Sequence, residues 1–246
     1  MLQKNIIRLI DENFIYARAL HYLGIEFMDF ADKTLMEVCR QKQINADMVL
    51  KTFDSFLSSS PTENTDLNNY PIGLIVGYLK HSHHTFIKDR LPYIHHLISG
   101  LNIDKHCDAT IKDLHLIFPV FLEDFIKHIY EEEDTLFGHI LNLEKFNVDD
   151  PRSVSNVVMG INNHSLQSIY DEHCDEDEME GLREMTDCIR ESGANDIVIR
   201  TIVAELQAFD VELNNHAQIE NEILFPKAIS LENRVITKLE SLSKLN

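Results

Sequence analysis

The chain has 246 residues, 44% hydrophobic and 26% charged, a composition ordinary for a globular protein that buries a core and forms one or two domains. Its 22 basic and 41 acidic side chains leave a formal charge of -19, which argues against nucleic-acid backbones and anionic membranes as partners. Cys39, Cys107, Cys174 and Cys188 make no C-x-x-C or zinc-ribbon spacing and read as reduced thiols in a cytoplasmic protein.

The opening residues, from Met1 to Glu12, are interrupted by charge too often to form the apolar region of a signal peptide. No apolar run approaches membrane-spanning length. Residues 1–60 read as a small helical N-terminal domain, and the polar, turn-rich text ending at Tyr70-Pro71 as a linker over 61–71. From residue 72 to 246 the pattern predicts a bundle, with helices at about 72–99, 105–145, 152–191 and 194–228. Gly100, the stretch from Asn147 to Pro151, and Ser192-Gly193 supply the breaks. Pro92 and Pro119 fall inside two of these helices and are expected to bend or interrupt them. The acidic run from Asp171 to Gly181 lacks the alternating oxygen ligands and central glycine of an EF-hand loop, so it reads as a solvated surface.

One pattern repeats. His128-x-x-x-Glu132 followed by Leu136-Phe137 recurs 88 residues later as His216-x-x-x-Glu220 followed by Leu224-Phe225. Counted from each histidine, Phe121 and Phe209 lie seven before, Asp124 and Glu212 four before, and Phe125 and Leu213 three before. Residues four apart share one helix face, so each pair aims an imidazole and a carboxylate at the same point, among apolar neighbours. A single such pair is commonly a weak surface partnership, but two on successive helices suit a two-metal centre. Further histidines precede each repeat, at His84 and at His164, so the order is His, His-x-x-x-Glu, His, His-x-x-x-Glu. Four helices in series with short connections make an antiparallel bundle whose interior can hold such a site.

These motifs resemble those of hemerythrin-like di-iron proteins, and among them the Repair of Iron Centres family of iron–sulfur cluster repair proteins. The resemblance is carried by His84 seven residues before Leu91-Pro92, by His128 to Glu133 with Leu136-Phe137, by His164, and by His216 to Asn221 with Leu224-Phe225-Pro226. It implies an all-α fold, an antiparallel four-helix bundle after the small N-terminal domain. It also implies two non-haem iron ions with an oxo or hydroxo bridge, His84, His128, His164 and His216 as terminal ligands, and Glu132 and Glu220 bridging. Within the cluster His81, His83 and His84, the spacing to Leu91-Pro92 selects His84 over His81, while His83 is rotated about a quarter turn away. The remaining histidines, His173 among them, read as surface or satisfied interior residues.

The residue chemistry is compatible. Imidazole and carboxylate suit iron and leave positions open for a small molecule, and the absence of thiolates disfavours structural zinc. No histidine has Asp or Glu three residues before it, which disfavours the ferritin-like Glu-x-x-His arrangement. Asp124 and Glu212 read either as a route into the bundle, as partners of the ligand histidines, or as solvated positions.

The N-terminal segment resembles the short domain of the same family at Ile25-Glu26-Phe27, Thr34-Leu35 and the stretch from Asn45 to Val49, but Met28-Asp29 stands where that family has two cysteines. It then reads as an interaction or homodimerisation module, or as a remnant. Three functions are expected on this basis. One is a stress protein whose di-iron centre reacts with nitric oxide, with nitric oxide reductase-like activity, or donates iron to iron–sulfur proteins. The second is a module that binds or senses O2 or NO, and the third is iron handling or peroxide reduction.

Overall fold

The computed structural model describes residues 1–58, 67–101, 109–163, 165–173, 177–191 and 196–243. They are helical almost throughout, so the chain is all-α; a lone antiparallel bridge joins Asn5 to Thr34. In chain order the α-helices are α1 (Ile6–Glu12), α2 (Ile15–Tyr22), α3 (Leu35–Lys42), α4 (Ala46–Ser58), α5 (Ile72–Thr85), α6 (Leu91–Ser99), α7 (Ala109–Glu132), α8 (Gly138–Glu144), α9 (Pro151–Asn163), α10 (Leu166–His173), α11 (Glu180–Glu191), α12 (Ile197–Ile219) and α13 (Phe225–Ser243). No described helix is long and apolar enough to cross a membrane.

The chain divides into two compact units. The first comprises Met1–Thr65, Arg90–Pro119 and Glu180–Asp210; the second comprises Asp66–Asp89, Val120–Met179 and Val211–Asn246. In the first, Thr34 starts α3 with a capping box: its hydroxyl accepts from the Glu37 N–H, and the Glu37 carboxylate accepts from the Thr34 N–H. Ile6, Leu9, Leu20, Val38 and Phe53 are fully buried, and each such side chain stabilises the fold by about 1.5–3 kcal/mol relative to exposure. Arg90 and Glu205 form a buried ion pair, with the Arg18 guanidinium 3.6 Å from the same carboxylate.

The second unit is built around Ile75, Leu79, Phe137, Ile140, Leu224 and Phe225. The apolar residues of α5 fall at Ile72, Ile75, Val76 and Leu79, one stripe with three- and four-residue spacing. That stripe packs toward α8, while α10 lies on α13. Of the expected linker, residues 61–66 lie outside the described residues; Leu67–Asn69 form a 3₁₀ turn whose Leu67 is buried in this core.

Among the described residues, three helical runs contain a π-helical turn: Phe86–Arg90, Glu133–Phe137 and Glu220–Leu224. Such turns widen the helix by one residue and rotate the residues after them relative to those before. Pro92 sits in the first turn of α6, after the first of them, where its missing N–H and its clash with the residue four before it are accommodated without ending the run. The helix continues through Pro119.

Two expected helix boundaries change. The stretch 152–191 is not one helix, because α9 ends at Asn163 and α10 begins at Leu166. The first N–H groups of α10 have their own acceptors, the Ser165 hydroxyl for Ser168 and the buried Glu232 carboxylate for Leu166, and this supports a separate start. The last helix runs on from 228 to Ser243, because Phe225, Ala228 and Val235 continue a buried stripe beyond the repeat.

Candidate metal centre

His83 continues the α5 stripe one turn past Leu79, which buries its imidazole to 2% exposure. Phe137 stacks on that ring at 5.5 Å between centroids, with 8° between the planes. Its Nδ1 lies 3.0 Å from Glu133 Oε1, and Glu133 Oε2 is 3.1 Å from Lys80 Nζ. A carboxylate only accepts, so Nδ1 carries a proton, and the ring presents Nε2 inward.

That Nε2 meets two groups. His216 Nε2 is 3.0 Å away and Glu132 Oε2 is 3.3 Å away; His216 Nε2 in turn lies 3.0 Å from Glu220 Oε1. His83, Glu132, His216 and Glu220 thus offer four buried ligand atoms, all within 4.8 Å of one another. Metal bonds of about 2.0–2.2 Å place neighbouring donors about 3 Å apart and opposite donors a little over 4 Å apart, so these spacings fit the edges of a coordination polyhedron.

The unpaired atoms also fit a metal. Glu132 Oε1 and Glu220 Oε1 are buried without a hydrogen-bond partner, although His216 Nε2 is close to the latter. Proximity without hydrogen-bond alignment is what results when two lone pairs point at a third place. The group can hold a metal ion.

Electrostatics agree. Burial, and then the charge of Glu220, push the Glu132 carboxyl above its usual range; burial does the same to Glu220. Burial, with His83 beside it, drops His216 to about 3, which keeps it neutral. Burial alone would lower His83 too, but hydrogen bonding and charge from Glu132, with Glu133 and Glu220, raise it. A divalent cation would replace the protons that the carboxyl pair otherwise retains.

The quartet opens into a cavity of about 40 Å³, lined also by Phe86, Phe125, His128, His173 and Glu178. This is room for about three water-sized atoms. His173 Nε2 is 3.5 Å from Glu220 Oε2, with its side chain 13% exposed. His128 Nε2 is 3.3 Å from Glu178 Oε1, with its side chain 33% exposed. Phe86 closes on His216 edge-on at 5.6 Å.

Of the six expected ligands, Glu132, His216 and Glu220 lie in the quartet and His128 on the cavity wall. His164 lies outside the described residues. The place expected for His84 belongs to His83: His84 is exposed, because each residue turns the helix by about 100° and the Leu79 stripe reaches 83. Asp124 is exposed and Glu212 half-buried, and neither lines the cavity.

Sequence reasoning also passed over His173, Glu178 and Glu133. A signal for His173 was present, since Leu166, Ile169, Tyr170 and His173 repeat the spacing of the α5 stripe with a histidine at its end. Glu178, in the acidic run read as solvated surface, faces the cavity instead.

No protein-family model matches this chain, and no curated protein matches it in sequence.

Proposed function

We propose that the cavity is a non-haem di-iron centre of the hemerythrin-like kind and that the protein reacts with nitric oxide under nitrosative or oxidative stress, in the manner of iron–sulfur cluster repair proteins. What carries the reading is the buried quartet of two imidazoles and two carboxylates with unpartnered ligand atoms, facing a second histidine pair across one small cavity. His83 and His216 would hold one ion and His128 and His173 the other, with Glu132 and Glu220 between them. Four neutral imidazoles and two carboxylates suit iron and leave coordination positions free. The duplicated His-x-x-x-Glu motif on two helices of an all-α chain would suit a bundle of that kind.

When bound, such a pair of ions supplies electrons and adjacent binding positions for a small gas. This chain's own residues do the rest. Glu133 holds the His83 ring in one tautomer, and the stacked Phe137 ring limits its swing. Phe86, Phe125, Ile129 and Leu213 line the cavity with apolar surface that limits water. The cavity, about 40 Å³, is far smaller than the pockets that take larger metabolites, which supports a small gas as the ligand.

The test is metal content followed by gas reactivity. Protein purified from iron-supplied cells without chelator should contain about two irons per chain and show near-ultraviolet charge-transfer absorption. Mixing the reduced protein with nitric oxide and with O2 in separate stopped-flow runs should give the faster reaction with nitric oxide. One iron per chain, or zinc alone after iron supplementation, would overturn the di-iron reading; a faster O2 reaction would turn the function toward oxygen binding.

A further inference from the structure

The first unit contains a second convergence of metal-binding side chains, away from the repeat. His21 Nδ1 is 3.1 Å from Glu26 Oε1, and His96 Nε2 is 2.9 Å from Glu26 Oε2. The three ligand atoms lie within 4.8 Å of one another, and the two imidazoles are 4.9 Å apart between centroids. We propose that His21, Glu26 and His96 form a mononuclear site for a divalent transition-metal ion, with two imidazoles and one carboxylate as its protein ligands.

Local backbone structure prepares the site. At the end of α2 the Ile25 N–H bonds to the Leu20 carbonyl and the Gly24 N–H to the His21 carbonyl, while Gly24 adopts φ 70. This is a Schellman closure, and only a residue without a Cβ adopts that φ without strain. It turns the chain back sharply, so that Glu26 returns to the face of α2 that carries His21. His96, in the last turn of α6, completes the triangle.

Hydrogen bonding uses the arrangement less completely than a cation does. For both contacts to be hydrogen bonds, each ring must donate to the one carboxylate, which either fixes two particular tautomers or charges two adjacent rings. A cation instead takes lone pairs from all three groups, and their 2.9 and 3.1 Å separations match the edges of an octahedron with bonds of about 2.1 Å. Tyr93 packs against His21 at 4.8 Å, and burial, with Glu205 and Glu26, pushes its hydroxyl up, so it contributes no anionic ligand.

Two neutral imidazoles and one carboxylate with the remaining positions open suit Zn²⁺, Fe²⁺, Co²⁺ or Mn²⁺ rather than Ca²⁺ or a thiolate-preferring ion. The metal would fasten α2 and the turn after it to α6. His21, Glu26 and His96 are one-third to one-half exposed, so the ion can exchange with solvent.

The experiment is equilibrium dialysis of the full chain against buffered free Zn²⁺, with bound zinc measured per chain. The intact protein should hold about one equivalent more than Glu26→Gln or His96→Ala, and His83→Ala should retain that equivalent. Glu26→Gln keeps the size of the side chain while removing its charge and one acceptor oxygen, and circular dichroism should show its fold unchanged. In the His83→Ala background Zn²⁺ should raise the melting temperature, and adding Glu26→Gln should abolish the rise. Equal zinc in the intact protein, Glu26→Gln and His96→Ala would overturn the proposal. So would a zinc-dependent rise that survives Glu26→Gln. Neither outcome depends on whether the cavity of the second unit holds iron.

Discussion

His83 and His216 approach nitrogen to nitrogen at 3.0 Å, although 133 positions separate them along the chain. Two bare imidazole nitrogens repel at this distance, so one must carry a proton or both must share a cation. His83→Ala should therefore abolish tight metal binding while His84→Ala leaves it intact, because the His84 ring is exposed. Iron per chain after reconstitution decides the matter. Retention by His83→Ala together with loss by His84→Ala would reverse the assignment.

Glu133 acts through His83, and its effect should be graded. Glu133→Gln keeps the size of the side chain but lets an amide face Nδ1, so the ring is no longer held in one tautomer. Losing such an outer partner commonly costs about 10–100-fold in metal affinity. A competition titration with a chelator should show a loss of that order with unchanged circular dichroism. An unchanged affinity would remove Glu133 from the site.

The two halves of the cavity differ in exposure, with side chains at 2% and 5% for His83 and His216 against 33% and 13% for His128 and His173. In the proposed di-iron centre, the ion at the outer pair should leave first. Increasing chelator should remove iron in two steps, and His128→Ala should abolish the first step alone. Loss of both irons in a single step would show that the exposure difference does not govern release.

Gly160 tests a packing relationship behind the site. A methyl group there would run into His139 Nδ1, while His139 Nε2 contacts Glu232 Oε1 at 3.0 Å and Glu232 Oε2 accepts from the Leu166 N–H at 3.1 Å. Gly160→Ala must displace the His139 ring and disturb both contacts, a cost of about 1–3 kcal/mol. Gly77 has open space where its Cβ would stand, so Gly77→Ala should be stabilising by about 0.5–1 kcal/mol through helix propensity. Urea denaturation of the two variants should shift in opposite directions.

Local pattern alone specified much of this protein. The apolar periodicity marked its helices, and the repeated His-x-x-x-Glu placed Glu132, His216 and Glu220 on helix faces, where the structure finds them buried. Those properties depend on neighbours within a turn or two, which a sequence displays directly. Which other histidines join them is a tertiary matter. His81, His83 and His84 are chemically alike, and only the packing of α5 through Ile75 and Leu79 turns His83 inward. His173 reaches the cavity because the chain breaks after α9 and restarts at Leu166, held by the distant Glu232 carboxylate. A rotation of about 100° per residue makes such choices all or none, so a one-residue change of register, set by contacts from far along the chain, decides whether a histidine is a ligand or a surface residue.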